Sequence, residues 1–252
     1  MGGVAALVAA EFEAAGFTVS FTERSGGVSG GVFQSLNLGL RSGDDPELVK
    51  VNRQRLCASV GVEEFACGKQ VHGTRIERID RGSSGSGYLD PAGALTATDG
   101  LVTDEPGVAL AVLTADCVPV ALADPIAGRL AVVHAGWKGI AAGIVSEAVA
   151  LFDHPTETIA AIGPAIGPDH YEVGDDVARA VGAACPTGAV IRREGTRLLL
   201  DLSASIASIL EEAGVRSIAR TRRCTACETD RYYSYRRDGV TGRQGVVAVR
   251  VS

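Results

Sequence analysis

A thiol and an imidazole stand on either side of one expected turn. Cys117 precedes the apolar run VPVALA, and His134 lies near the end of the run RLAVVHA. Between the runs comes Asp124-Pro125-Ile126-Ala127-Gly128, a turn with Pro at its second position. Two strands joined there form an antiparallel hairpin. A tight turn centred between Pro125 and Ile126 sets Cys117 directly opposite His134. A longer loop over 125–128, closed by Gly128, makes them diagonal neighbours. Both registers put the two side chains on one face, because side chains alternate with a period of two; only an odd shift such as a single bulge separates them.

Two donors do not make a metal site. The chain has four histidines, which leaves His72, His154 and His170 as further candidates. His154 sits in the capping turn DHPTE and His170 in the Pro/Gly loop GPAIGPDHYEV. His72 lies in GKQVHGTRIERI, whose apolar-polar alternation predicts a strand, and it is the strongest third ligand. Two imidazoles and one thiolate make an open zinc site with a vacancy for water or substrate. Asp116 would then orient a ligand or carry a proton. Taken singly, each histidine reads as a structural residue and Cys117 as a small buried hydrophobe; the shared face is what favours chemistry.

Further candidates surround this patch. HAGWKG passes from a strand into an expected helix, where Gly136 and Gly139 would leave backbone N–H groups open to phosphate, with Lys138 as a point charge. ARTRRCTACETDRYYSYRRDGVTGRQG is rich in arginine. Most of it reads as a solvated face, with Arg236, then Arg243, assigned to an anion beside a stacking tyrosine. RNA binding would use the same ingredients, but no RNA-binding motif accompanies them. The CxxC at Cys224 and Cys227 lacks a second pair at suitable spacing and reads as incidental thiols.

The elements that must position these groups alternate between strands and helices. A helix is expected over residues 4–16, a strand in FTVSFTE, a Gly/Ser loop at 25–31 and a helix from DDPELVKVNRQRL. RGSSGSGYLDPAG is the most loop-like segment. VALAVLT, TIAAIG and GVVAVRV read as buried strands; WKGIAAGIVSEAVALF, DDVARAVGAAC and DLSASIASILEEAGV read as helices, the last capped by Asp201 or Ser203. Hairpins among the alternating elements predict a mixed sheet, hence one α+β domain over residues 1–252 with a central mixed β-sheet assembly flanked by helices.

Composition supports that reading. The 252 residues are 46% hydrophobic and 21% charged, enough to bury a core, and the net charge of −6 argues against general nucleic-acid coating. The six cysteines read as free thiols or ligands rather than a disulfide framework. MGGVAALVAAEFEAAGF has no basic segment before Arg24 and is broken by Glu11 and Glu13, so no secretory leader is expected. No apolar run reaches the ~18 residues of a membrane span. The expected setting is the cytoplasm, with no membrane partner.

FTERSGGVSGG, SLNLGLRSGDDP, VNRQRL, GKQVHG, TDGLVT, LTADCVPVALADP, AVVHAGWKG, IGPAIGPDHYEV and YYSYRRDGVTGRQG, in this order from Phe21 to the C-terminus, resemble the YfiH-like family. Its members have been called laccase-domain proteins, polyphenol oxidases, peptidoglycan editing factors and purine nucleoside phosphorylases. The resemblance implies an α+β fold related to cysteine hydrolases and a metal on His72, Cys117 and His134, with zinc as cofactor and copper possible. It implies phosphorolysis of adenosine, inosine, guanosine and methylthioadenosine, and adenosine deamination, with purine nucleoside and phosphate as small-molecule partners and no nucleic acid. Arg24, placed in a matching motif, joins Lys138 and Arg236 as a substrate-binding candidate. Three other chemistries stand beside this one. A laccase would need more imidazoles than four, and the only methionine, Met1, leaves no axial ligand for a blue-copper set. A hydrolase editing cell-wall precursors would use Cys117 as nucleophile and His134 as base. A nucleotide- or RNA-binding module would carry the metal incidentally.

Overall fold

The computed structural model describes residues 6–8 and 10–251. In chain order the N-terminal part contains β1 (Ala6–Val8), α1 (Ala10–Ala14), β2 (Phe17–Thr22), α2 (Pro46–Val60), β3 (Ala66–Cys67), β4 (Ile76–Arg78), β5 (Gly100–Thr103) and β6 (Ala109–Thr114). The expected hairpin follows as β7 (Val118–Asp124) and β8 (Arg129–Ala135), then α3 (Trp137–Ala141), α4 (Ile144–Val149) and β9 (Ile159–Ile162). The remainder is β10 (Glu172–Val173), α5 (Asp175–Ala184), β11 (Val190–Glu194), β12 (Arg197–Asp201), α6 (Leu202–Glu212), β13 (Ser217–Arg220), α7 (Tyr235–Asp238) and β14 (Gln244–Arg250).

Two large sheets lie face to face. One has the order β1-β2-β14-β6-β3, the other β13-β9-β7-β8-β5-β4, and a small sheet β10-β12-β11 stands apart. Parallel pairs (β3 with β6, β4 with β5, β9 with β13) sit among antiparallel ones, so the sheets are mixed as expected. The period of two decides what each strand face meets. Along the hairpin, Val118, Val120, Leu122, Ala131 and Val133 pack with Ile140, Ile144 and Ile206 from the helices on the outer side. The alternate residues Ala121, Ala123, Leu130 and Val132 meet Phe17, Val19, Phe21 and Val112 of the other sheet. Alanines on the inner face leave room for the phenylalanines opposite. The far face of the five-stranded sheet is covered by Leu56 and Cys57 of α2 together with Leu36, Leu38 and Phe65. The result is a single-domain α+β fold in layers of helix, sheet, sheet and helices.

Caps fall where the chemistry asks for them. Asp45 accepts from Glu47 N, with Pro46 at the first helical position of α2, and Gly61 closes that helix at φ 75°. Asp201, one of the two caps considered for α6, accepts from Ala204 N. Two expectations fail. The helix anticipated over 4–16 begins only at Ala10, because residues 6–8 pair with β2 from Ala6↔Thr22 to Val8↔Ser20; residues 4 and 5 lie outside the described ones. The single helix read in WKGIAAGIVSEAVALF is two short ones, broken where Gly143 takes φ 97°. Among the described residues no helix is long and apolar enough to cross a membrane.

Candidate metal centre

The hairpin adopts the longer-loop register. Val118 pairs with Ala135 and Pro119 with His134, so Cys117 lies diagonally across from His134 on the face turned toward the other sheet. Asp124 builds the turn: its Oδ1 accepts from Ile126 N and Ala127 N at 2.8 and 3.0 Å, and its Oδ2 meets His154 Nδ1 at 2.9 Å. His154 thus supports the turn, far in role from a metal ligand.

His72 reaches the same patch by a different route from the one its sequence suggests. It is in a loop, not a strand, with φ 63°. The N–H groups of Val71, His72 and Gly73 all turn inward and donate to the Asp99 carboxylate, each at 2.9 Å. Gln70 fixes the other side of the loop, its amide exchanging hydrogen bonds of 2.7 and 2.8 Å with Leu113 O and N. His72 Nε2 then lies 3.6 Å from Cys117 Sγ, and the two imidazole rings meet edge to face at 4.8 Å. The ligand atoms of His72, Cys117 and His134 all lie within 4.8 Å of one another.

Asp99, which the residue-by-residue reading of the sequence passes over, organises this centre. It is fully buried, and besides the three loop N–H groups it meets His134 Nδ1 at 2.8 Å. With Nδ1 committed to Asp99, His134 turns Nε2 toward Cys117, the arrangement by which a carboxylate fixes the tautomer and direction of a ligating histidine. The His134 backbone N–H also donates to Asp99 O at 2.7 Å. The only sequence signal was TDG, a short polar break before an apolar strand.

The donor set suits a metal ion. Two imidazoles and a thiolate converge with one side open, and the backbone makes room for them: a Cβ on Gly136 would fall 2.7 Å from His72 Cδ2 and 3.0 Å from Cys117 Sγ. Gly139 likewise lets α3 approach Gly73 O, which a Cβ would meet at 3.0 Å. The glycines of HAGWKG therefore permit close packing at both points. Lys138 stands exposed over the Trp137 ring at 5.6 Å, outside the cavity lining.

Without a metal the same atoms form a charged pair. Burial alone would raise the Cys117 thiol, but His134 and then His72 outweigh it and bring its pKa down to about 6. Burial alone would depress His134, but the Cys117 and Asp99 charges raise it to about 9. Thiolate and imidazolium then coexist between those values. In chelated protein, alkylation of Cys117 by iodoacetamide, followed by peptide mass mapping, should stay fast down to pH ~6. A midpoint at the ordinary thiol value of ~8.5 would show that the pair does not form.

The open side faces a cavity of about 700 Å³. Five basic residues, Arg41, Arg53, Lys69, Arg236 and Arg243, line it against one acid, Asp116. Arg53 is structural, held by Leu38 O, Gly87 O and Tyr88 O at 2.6–2.8 Å. Arg236 donates to Glu172 O at 3.1 Å and stacks on Tyr171 at 5.0 Å. Asp116, at φ 99°, accepts from Thr225 Oγ1 and from Arg236 N, each at 2.6 Å. Its oxygens are engaged in holding the wall, so the position expected to orient a ligand or carry a proton is filled by a clamp. Arg24 is also away from the cavity lining: it donates to Gln34 O and Thr229 O at 2.8 and 2.9 Å and stacks on Tyr233. Thr114, at the cavity wall, has a buried hydroxyl with no hydrogen-bond partner among the described residues.

Fold and site together define an α+β protein with a His-His-Cys centre at the end of a cationic cavity. The chain belongs to the family described as multi-copper polyphenol oxidoreductase laccase, whose profile matches residues 18–250, and which includes the YfiH and YlmD proteins. It is 40% identical to the purine nucleoside phosphorylase YlmD of Geobacillus stearothermophilus, over 91% of this chain and 88% of that one. It is 44% identical to a purine nucleoside phosphorylase of Deinococcus radiodurans, over 90% and 87%. The crystal structure of the Geobacillus YlmD superposes with a TM-score of 0.92 at 38% identity, covering 97% of this chain and 94% of that one.

Proposed function

We propose that this chain is a zinc-dependent purine nucleoside phosphorylase that cleaves adenosine, inosine, guanosine and methylthioadenosine and also deaminates adenosine. One observation carries the reading: His72, Cys117 and His134 converge at the end of a cavity whose charged lining is cationic. Its volume is that of a small-molecule site, and the names of the relatives point the same way.

Phosphorolysis breaks the bond from ribose C1′ to the purine nitrogen and forms a bond from C1′ to a phosphate oxygen; the departing purine takes up a proton. Arg236 and Arg243 supply charge for the phosphate. Tyr171 and Tyr235 offer faces for the base, and burial pushes the Tyr171 phenol up to about 12, so it stays a neutral hydrogen-bond donor at pH 7. The unpartnered Thr114 hydroxyl supplies a further polar contact. Zinc on His72, Cys117 and His134 would supply the Lewis acidity that activates the water needed for deamination. Asp99 holds His134 in the ligating tautomer, and Asp116 keeps Arg236 on the wall.

The test is purine release from inosine with and without phosphate. Dependence on phosphate is expected; equal release without it would exclude phosphorolysis. Arg236→Ala and Arg243→Ala should each raise the phosphate KM by about tenfold, the loss of one charge-assisted hydrogen bond of ~1.5 kcal/mol, while metal content stays unchanged. A laccase reading fits less well, since the centre gathers only two of the chain's four imidazoles. A cysteine hydrolase is the second reading, favoured by the alignment of Cys117, His134 and Asp99.

A further inference from the structure

We propose a second metal site, built from His170, Cys224 and Cys227, that takes zinc and pins one wall of the cavity. It stands independently of the nucleoside reading. The CxxC that looked incidental in the sequence gains a partner from a distant loop: the ligand atoms of His170, Cys224 and Cys227 all lie within 4.8 Å of one another. Bonds of ~2.3 Å to sulfur and ~2.0 Å to nitrogen in a tetrahedron place donors roughly 3.5–3.8 Å apart. Closing on an ion therefore asks for side-chain movements of about 1 Å.

Hydrogen bonds hold the backbone around each donor. Thr225 N donates to Ala165 O and Ala165 N to Arg223 O, tying the Cys224 segment to the loop after β9. Gly167 N donates to Cys224 Sγ at 3.2 Å, and a Cβ on Gly167 would itself sit 3.2 Å from that sulfur, so glycine permits the approach. Glu228 N donates to Cys224 O at 3.1 Å, closing the turn that carries Cys227, and His170 N donates to Gly167 O at 3.0 Å, closing the turn that carries the imidazole. His170 and Cys227 are exposed, which gives an ion an entry path. Asp169 and Glu228 bear on Cys227 but are already paired, Asp169 with Arg192 and Glu228 with Arg223 and Arg231, so water completes the tetrahedron.

The site's position gives it a task. His170 O accepts from Arg236 Nη1 at 3.4 Å, and the next residue, Tyr171, carries the Arg236 guanidinium on its ring. On the other loop, Thr225 bonds Asp116 next to Cys117. An ion joining the two loops would limit the movement of Arg236 and Tyr171 and couple that wall to the first centre.

The test is metal analysis of protein produced with zinc and purified in reducing buffer without chelator. Cys227→Ser and His170→Ala should each lose about one equivalent per chain, while His72→Ala keeps that equivalent. In cobalt-loaded protein, replacing both Cys224 and Cys227 by serine should remove about two-thirds of the sulfur-to-cobalt absorbance, since three thiolate ligands become one. Unchanged metal content in Cys227→Ser would overturn the proposal. So would an intact mass showing Cys224 and Cys227 joined as a disulfide in the zinc-loaded protein.

Discussion

Asp99→Asn should bind metal roughly 10–100-fold more weakly than the wild type and be less stable by about 2–4 kcal/mol. The reason is the division of labour between its two oxygens. Oδ1 accepts from His72 N and His134 Nδ1, and Oδ2 accepts from Val71 N and Gly73 N. An asparagine has one oxygen, so its NH₂ must confront one of these donor pairs whichever way it is turned. One orientation releases the His134 ring and the other opens the loop that carries His72. Either loosens a ligand without touching the ligand's own chemistry. Chelator competition reads the first effect and urea unfolding the second; wild-type behaviour in competition would remove Asp99 as the orienting residue.

Acid dependence gives the same substitution a second readout. Burial alone would raise the Asp99 carboxyl, but the His134 hydrogen bond and the backbone N–H groups of Val71 and Gly73 overcome it and hold the folded pKa below the ordinary carboxylate value. A carboxylate lowered on folding adds stability that is complete above its unfolded pKa of ~3.9 and is lost as pH falls through the lower folded value. Asp99→Asn should therefore flatten the fall in stability below pH ~4, as far as Asp99 contributes to it.

The parts of this centre differ in how plainly the sequence announces them. Cys117 and His134 are legible because a strand has only two faces and Gly128 fixes the length of the turn; the observed register is one of the two expected. Other parts depend on contacts that no local pattern encodes. The alternation in GKQVHGTRIERI suggests a strand at His72, yet a buried carboxylate from a segment beyond β4 draws three successive N–H groups out of any ladder. Arg24, Lys138 and Asp116 have the right chemistry, but direction matters more than type: two lie outside the cavity lining, and the third spends its oxygens on Thr225 and Arg236. The CxxC was visible, but its imidazole lies far away in the chain.

Replacing Cys117 should distinguish the two roles a thiol can play here. Cys117→Ser removes the soft donor, so the metal at the first centre should be lost and phosphorolysis should fall on the order of 10³-fold, equivalent to ~4 kcal/mol of transition-state stabilisation. A nucleophile would also be destroyed by that change, so serine alone does not discriminate. Cys117→His does. Three imidazoles also make a competent zinc set, and Cys117 itself lines the open cavity. If the thiolate is a ligand, Cys117→His should keep its metal and recover measurable turnover. If the thiolate attacks substrate, it should show none. Chelation gives the converse. Removing the metal frees the Cys117–His134 pair as thiolate and imidazolium between about 6 and about 9, so a hydrolase would keep or gain activity while a metal-dependent phosphorylase would lose it. Turnover that survives chelation but vanishes in Cys117→His would assign the pair to covalent chemistry, with Asp99 orienting the base.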